Sequence, residues 1–248
     1  MTKKFLSSYR GYTPILILAV GIMLFSACPK TPGEDFQSEL NVFGVIRSDR
    51  GAQFIIVDRT YAMDDTMGWD LENAFVTMTG DTFCDTFHLW EYEREFRGFY
   101  HPLETGQTYN IMVAADGLDT LWGETTMPGA YAFIFPQPGD TVDNSDTIII
   151  RKSPEGKVYE FRLYQNDTIA VMGMSYPDFL TDTLFRLPVE EMNLPEGDLR
   201  LEIAVYDSNF FNYQYQYGSN EYPQCGVSGG LGAFCSAYVN SVNFYFQP

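Results

Sequence analysis

Between Leu40 and Phe246, apolar and polar residues alternate with a period of two in segment after segment. Successive side chains of a strand point to opposite faces of a sheet. This period therefore fits half-buried strands and excludes helices, whose apolar positions recur every three or four residues. Leu40, Val42 and Ile46 alternate with Asn41 and Arg47. Ala74, Val76 and Met78 alternate with Thr77 and Thr79, and Tyr109, Ile111 and Val113 with Asn110 and Met112. Gln53 to Val57 is a continuous β-rich run, and Thr120 to Thr126 follows an Asp116-Gly117 turn signal. The pattern breaks at Met127-Pro128-Gly129 and restarts with Tyr131, Phe133 and Phe135. Further strands are expected over 147–151, 158–164, 168–172, 183–187, 199–206 and 238–246, with no amphipathic helix. Short helical turns are expected only near 64–71 and 176–180.

A weak internal repeat sharpens the architecture. Leu103-Glu104-Thr105-Gly106-Gln107-Thr108-Tyr109 leads into a strand ending Val113-Ala114-Ala115-Asp116. Leu194-Pro195-Glu196-Gly197-Asp198 leads, with one residue of slippage, into a strand ending Val205-Tyr206-Asp207. An L-x-x-G turn of this kind enters the penultimate strand of many sandwiches. Its Gly supplies the unusual backbone conformation at the corner, and a following Tyr hydrogen-bonds back across it. The expected fold class is all-β: two tandem Ig-like/fibronectin III-like β-sandwiches, over residues 38–128 and 129–248.

The first 27 residues do not belong to that fold. Lys3, Lys4 and Arg10 form a positive n-region, Pro14 to Phe25 an apolar h-region, and Ser26-Ala27-Cys28 ends it. As a membrane span this stretch is short against the roughly 20 apolar residues needed. An uncleaved anchor beginning near Tyr12 is the alternative. Phe25, three residues before Cys28, is too large for ordinary signal cleavage. Leu24-Phe25-Ser26-Ala27-Cys28 instead resembles a lipobox, in which small residues precede a Cys that becomes diacylated; Phe25 stands where an aliphatic residue is usual. Cys28 is therefore the expected lipidation site, and residues 28–37 read as a tether.

Losing residues 1–27 removes three positive charges and takes the formal charge from −18 to −21. No basic footprint for nucleic acid remains, and no polybasic membrane-surface helix. Aromatic residues make up 16% of the chain and charged residues 19%, which suits aromatic-rich sheets rather than disorder. In an oxidising compartment Cys225 and Cys235 are expected to close a short Gly-rich loop as a disulfide, leaving Cys84 as a buried strand thiol.

No residue pattern carries a reaction. Cys84 and His88 share a face at period two, but a zinc site needs further ligands, and strand residues are the better reading. Asp-Thr occurs eight times, at Asp65, Asp81, Asp85, Asp119, Asp140, Asp146, Asp167 and Asp182. Asp favours turns and Thr favours strands, so the pair marks loop-to-strand junctions; calcium held at the sandwich ends is the functional alternative. The motifs of serine hydrolases, zinc proteases and nucleotide-binding loops are absent from the sequence. No catalytic, cofactor-binding or metal residue is nominated, and no cofactor is expected.

Asn209 to Tyr222 (NFFNYQYQYGSNEY) is the most unusual segment. Tyr presents contact area at low entropic cost and Asn or Gln adds adaptable hydrogen bonds, as in antibody loops. Read as an extended part of a long loop over 208–235, it places Phe211, Tyr213, Tyr215 and Tyr217 on one face as a candidate binding surface. Packing of these rings on their own or the neighbouring domain is the alternative.

The Cys28 anchor, the opening strand Leu40-Asn41-Val42-Phe43-Gly44-Val45-Ile46, the L-x-x-G-x-T-Y motif and Gly226 to Phe234 (GVSGGLGAF) together resemble uncharacterised bacterial envelope lipoproteins. Some of these are encoded beside outer-membrane TonB-dependent transporters, and they offer no catalytic residues to carry over. The resemblance implies a non-enzymatic, lipid-anchored envelope module, at the outer membrane or cell surface, that contacts a protein partner or a glycan. A structural spacer with no ligand is the alternative.

Overall fold

The alternation becomes strands whose inward residues are those that the period selects. The computed structural model describes residues 36–62, 71–98, 101–176, 183–216 and 224–248. The leader, Cys28 and both expected helical turns fall wholly or largely outside them. The first half of the chain forms β1 (Leu40–Arg47), β2 (Phe54–Arg59), β3 (Phe75–Thr79), β4 (Cys84–Trp90), β5 (Glu95–Arg97), β6 (Thr108–Ala114) and β7 (Leu121–Thr126). One sheet has the order β1-β2-β5 and the other β4-β3-β6-β7. β4 passes between them, pairing β3 through Cys84–Phe87 and β5 through His88–Trp90. Leu40, Val42, Ile46, Val76, Met78, Tyr109, Ile111 and Val113 all point into the core between the sheets.

The second half repeats this plan with β8 (Ala132–Phe135), β9 (Thr141–Val142), β10 (Thr147–Arg151), β11 (Val158–Gln165), β12 (Thr168–Ser175), β13 (Leu184–Pro188) and β14 (Gly197–Tyr206). A helix α1 (Ser208–Gln216) and strands β15 (Gln224–Cys225), β16 (Val227–Ser228) and β17 (Leu231–Phe246) complete it. The sheets here are β8-β10-β13 and β12-β11-β14-β17. The two halves thus share one strand order, three strands facing four, which is the Ig-like/fibronectin-like sandwich. Asp140-Thr141, Asp146-Thr147 and Asp167-Thr168 each stand at the entry to a strand, as turn and strand chemistry require.

The Leu103 corner forms as its residue types dictate. Gly106 has φ +77°, and the Tyr109 hydroxyl accepts a hydrogen bond from the Glu104 N–H at 2.7 Å. At the second corner Gly197 has φ +127°, and buried Leu199 follows without a tyrosine.

One expectation needs correction: residues 38–128 and 129–248 are not separate domains. Ser38–Pro248 is a single compact unit, and β17 is the reason. Its C-terminal part pairs antiparallel with β14 from Ala237 to Phe246, as the last strand of the second sandwich. Its first part, Leu231–Ala237, pairs in parallel with β1 of the first sandwich. Its even-numbered side chains serve both cores: Phe234 lies in the first, while Val242, Phe244 and Phe246 lie in the second. β16 adds to β7, Val227 opposite Gly123, and so extends the first sandwich's other sheet. β16 and the first part of β17 therefore fold back onto the first sandwich. The result is one continuous sheet, β12-β11-β14-β17-β1-β2-β5, running through both halves.

Candidate functional site

Helix α1 is the second correction, because the aromatic segment is helical, not extended, over its described residues, 209–216. Its N-cap is Asp207, whose Oδ1 accepts from the Phe210 N–H at 3.0 Å, and the Phe211 N–H donates to the Asp207 carbonyl at 3.3 Å. The helix lies on the outer face of the continuous sheet, over Ala233, Cys235 and Ala237 of β17. These small residues allow close approach. Phe210 is buried and stacks on Tyr206 at 4.0 Å, and Tyr213 packs on Phe43 at 5.3 Å. Phe211 and Tyr215, one turn apart, are 4.5 Å apart at their centroids, and both meet Tyr176 edge-on. A common face for Phe211, Tyr213, Tyr215 and Tyr217 needs period two, which a helix lacks. Tyr217 lies outside the described residues. Phe210, Phe211 and Tyr213 thus serve mainly as packing that fastens the helix to the sheet.

The cysteines also differ from expectation. Cys225 pairs with Ala233 in parallel register, so Cys235 is its diagonal neighbour. Strands about 4.8 Å apart rising about 3.3 Å per residue place such a pair about 8 Å apart at Cα. That is beyond the roughly 7 Å limit of a disulfide. Both are buried thiols, and burial, then the Asp207 charge, pushes the Cys235 pKa well up. Cys84, expected to be buried, is exposed, because its side of β4 faces away from the core. Among the described residues no three His, Cys, Asp or Glu side chains converge as metal ligands.

At the helix start, a buried polar chain links the two halves. Thr125 Oγ1 lies 2.5 Å from Asp207 Oδ2 and 2.9 Å from Ser236 Oγ, which donates to the Thr126 carbonyl at 2.9 Å. Asn209 donates from Nδ2 to the carbonyls of Glu124 and Phe234, at 2.8 and 2.9 Å. Burial pushes the Asp207 pKa up to about 6, against the hydrogen bonds from Thr125 and the backbone that hold it down.

Beside the helix, on the same sheet face, a cleft of ≈ 290 Å³ opens between the halves. Phe43, Val45, Phe54 and Ile56 come from β1 and β2; Arg162, Tyr206 and Phe210 come from the second half. Arg47, at the end of β1, is 5% exposed; it grips Asp49 with two bonds of 3.0 and 2.9 Å and reaches Glu202 at 3.2 Å. Burial opposes its charge, but Asp49 and Glu202 outweigh it and raise the pKa. Arg162 pairs with buried Glu160 at 2.7 Å, and Tyr206 donates its hydroxyl to the same carboxylate. Arg50 stands over the Phe54 ring at 5.5 Å, and Arg97 stands 5.0 Å from that ring and 4.4 Å from Trp90. A larger depression, ≈ 510 Å³, lies at the turns around Asn166, Asp167 and Asp198, where Arg200 already covers Tyr164 at 4.2 Å.

The cleft was not legible beforehand, since Arg47, Arg50 and Arg162 are joined only by the pairing of β1 with β17 and of β17 with β14. No sequence signal marked them, since Arg151, Arg186 and Arg200 sit on expected strands just as Arg47 and Arg162 do.

No family model matches the chain, and no curated protein matches it. Among solved structures, it is similar to a biofilm-associated protein's BSP domain at 13% identity and TM-score 0.26, covering 84% of this chain and 30% of that one. It is similar also to the fibronectin(III)-like modules of Clostridium thermocellum CbhA, at 9% identity and TM-score 0.26, covering 83% and 94%. A third is Dpr11 IG1 bound to DIP-gamma IG+IG2, at 10% identity and TM-score 0.24, covering 86% and 100%. The fold assignment rests on strand order and pairing, not on these loose overlays.

Proposed function

We propose that this protein is a non-enzymatic binding or accessory module of the bacterial cell envelope, anchored by lipid on Cys28 and meeting its partner at the cleft beside α1. The observation that carries this reading is the composition of the cleft. An open, largely apolar floor is rimmed by arginines in a chain whose formal charge is −18, and it is assembled from both sandwiches. Exposed apolar surface of this kind costs solubility unless it is used. The continuous sheet holds the two sides in fixed register, which lowers the ordering cost of binding. Leu24 to Cys28 supports the anchor, with the outer membrane or cell surface as its place.

The same rigid sheet suits a spacer without a ligand, and one experiment separates the two. Cross-linking in intact envelopes, followed by affinity recovery, should yield a defined partner with the native chain and lose it with Ile56→Glu. Ile56 lines the cleft and is 48% exposed, so the change blocks the floor without entering the core. Recovery unchanged by Ile56→Glu, or no partner at all, refutes the cleft-binding module and favours the spacer.

A further inference from the structure

The cleft is chemically one-sided. Its floor is the carbon of Phe43, Val45, Ile56 and Phe210, and its rim carries Arg47, Arg50 and Arg162 against the one lining carboxylate of Glu95. The three guanidinium groups are not equivalent. Arg47 is held by Asp49 and Glu202, and Arg162 by Glu160. Arg50 has no carboxylate at ion-pair distance among the described residues; it rests on the Phe54 ring and donates its backbone N–H to the Arg47 carbonyl. Partial burial, then the like charge of Arg47 and more weakly that of Arg162, pulls the Arg50 pKa down against the opposing charge of Asp49. Arg50 is thus a cation that the surrounding fold does not fully compensate, in a chain with 33 acidic residues.

We propose that the cleft takes a carboxylate carried beside an apolar side chain, as in an acidic–apolar peptide segment of a partner protein, with Arg50 pairing the anion and Phe43, Ile56 and Phe210 seating the apolar group. This rests on the reading of the protein as a binding module. A guanidinium presents a planar fork that matches a carboxylate, and an apolar floor strengthens such a pair by excluding water. A cleft of ≈ 290 Å³ lies at the low end of ligand pockets, which run from about 300 to 1,000 Å³, so it seats a side chain or two rather than a domain. A sugar fits the lining less well. Its hydroxyls call for neutral donors and acceptors, and the only neutral polar side chain here is Tyr206, whose hydroxyl already donates to Glu160.

The test is selection of a displayed random peptide library on the mature chain. Selected peptides are then measured by fluorescence anisotropy against the native protein, Arg50→Gln and Arg50→Lys, at low and high salt, with oligogalacturonate as a sugar probe. Selected sequences should place Asp, Glu or a free C-terminus next to an apolar residue, and bind more weakly as salt rises. Arg50→Gln should weaken binding about tenfold to a hundredfold, as for loss of a charge-assisted bond. Arg50→Lys should restore part of it, and neither change should move the melting temperature, because Arg50 is exposed. Selection of no acidic sequence, equal affinity for Arg50→Gln, or tighter binding of oligogalacturonate overturns the proposal. An envelope partner retained by Arg50→Gln but lost with Ile56→Glu overturns it while leaving the binding-module reading intact.

Discussion

Replacing Asp207 by Asn should stabilise the protein at neutral pH although it removes a buried charge from a helix N-cap. The helix dipole and the Phe210 N–H favour the carboxylate, but only about 5% of the residue is exposed and burial wins, raising the pKa from 3.8 to about 6. Thr125 donates from Oγ1 to Asp207 Oδ2 and so also favours the carboxylate, yet these bonds do not offset the burial. A raised pKa means that the folded state holds a proton which the unfolded chain has lost between pH about 4 and about 6. Stability from this group is present in full below that window and falls as pH rises through it, by about 3 kcal/mol in all. The amide introduced by Asp207→Asn would keep an oxygen for the Phe210 N–H and offer an N–H to Thr125, and it does not ionise. Urea unfolding of both proteins from pH 4 to pH 8 gives the difference that isolates this group from the other acids. The two should be nearly equal at pH 4, and the Asp207→Asn variant should gain by up to about 3 kcal/mol at pH 8. A difference independent of pH, or a loss that grows towards pH 8, refutes the reasoning.

Gly232 has φ +109°, and a Cβ there would lie 1.9 Å from the Val42 carbonyl oxygen, so Gly232→Ala should cost more than about 2 kcal/mol and expose the β1 amides to hydrogen exchange. Phe210→Ala should cost about 3–5 kcal/mol by chemical denaturation, whereas Tyr215→Ala, at a residue 60% exposed, should change stability by less than about 0.5 kcal/mol. Cys28→Ser should move the protein from the detergent to the aqueous phase and change its intact mass. Unchanged partitioning and processing would remove the lipid anchor from the account.

The inward residues of β1, β3 and β6 were legible because these strands alternate cleanly and each needs only one buried face. The Leu103 corner was legible because Gly106 and Tyr109 carry its whole mechanism. The first half of β17 was not, because Gly229-Gly230-Leu231-Gly232 reads as a turn; its strand character comes from pairing with β1, a segment nearly 200 positions away. Helix α1 was missed because Phe, Tyr and Asn are indifferent helix formers and their alternation imitates a strand. The Asp207 cap and the Ala233, Cys235, Ala237 platform make it helical, and only the fold brings them together. Period two also implied one free outer face on β1. Phe43 and Val45 were therefore assigned no role, yet Phe43 lies beneath Tyr213 and both form the cleft floor.

The cleft depends on β17 holding both sandwiches as one unit, since neither half alone builds it. Differential scanning calorimetry of the mature chain tests this directly. A single transition whose calorimetric and van't Hoff enthalpies agree is the predicted result. Two resolved transitions, with the first sandwich unfolding apart from β17, would contradict it.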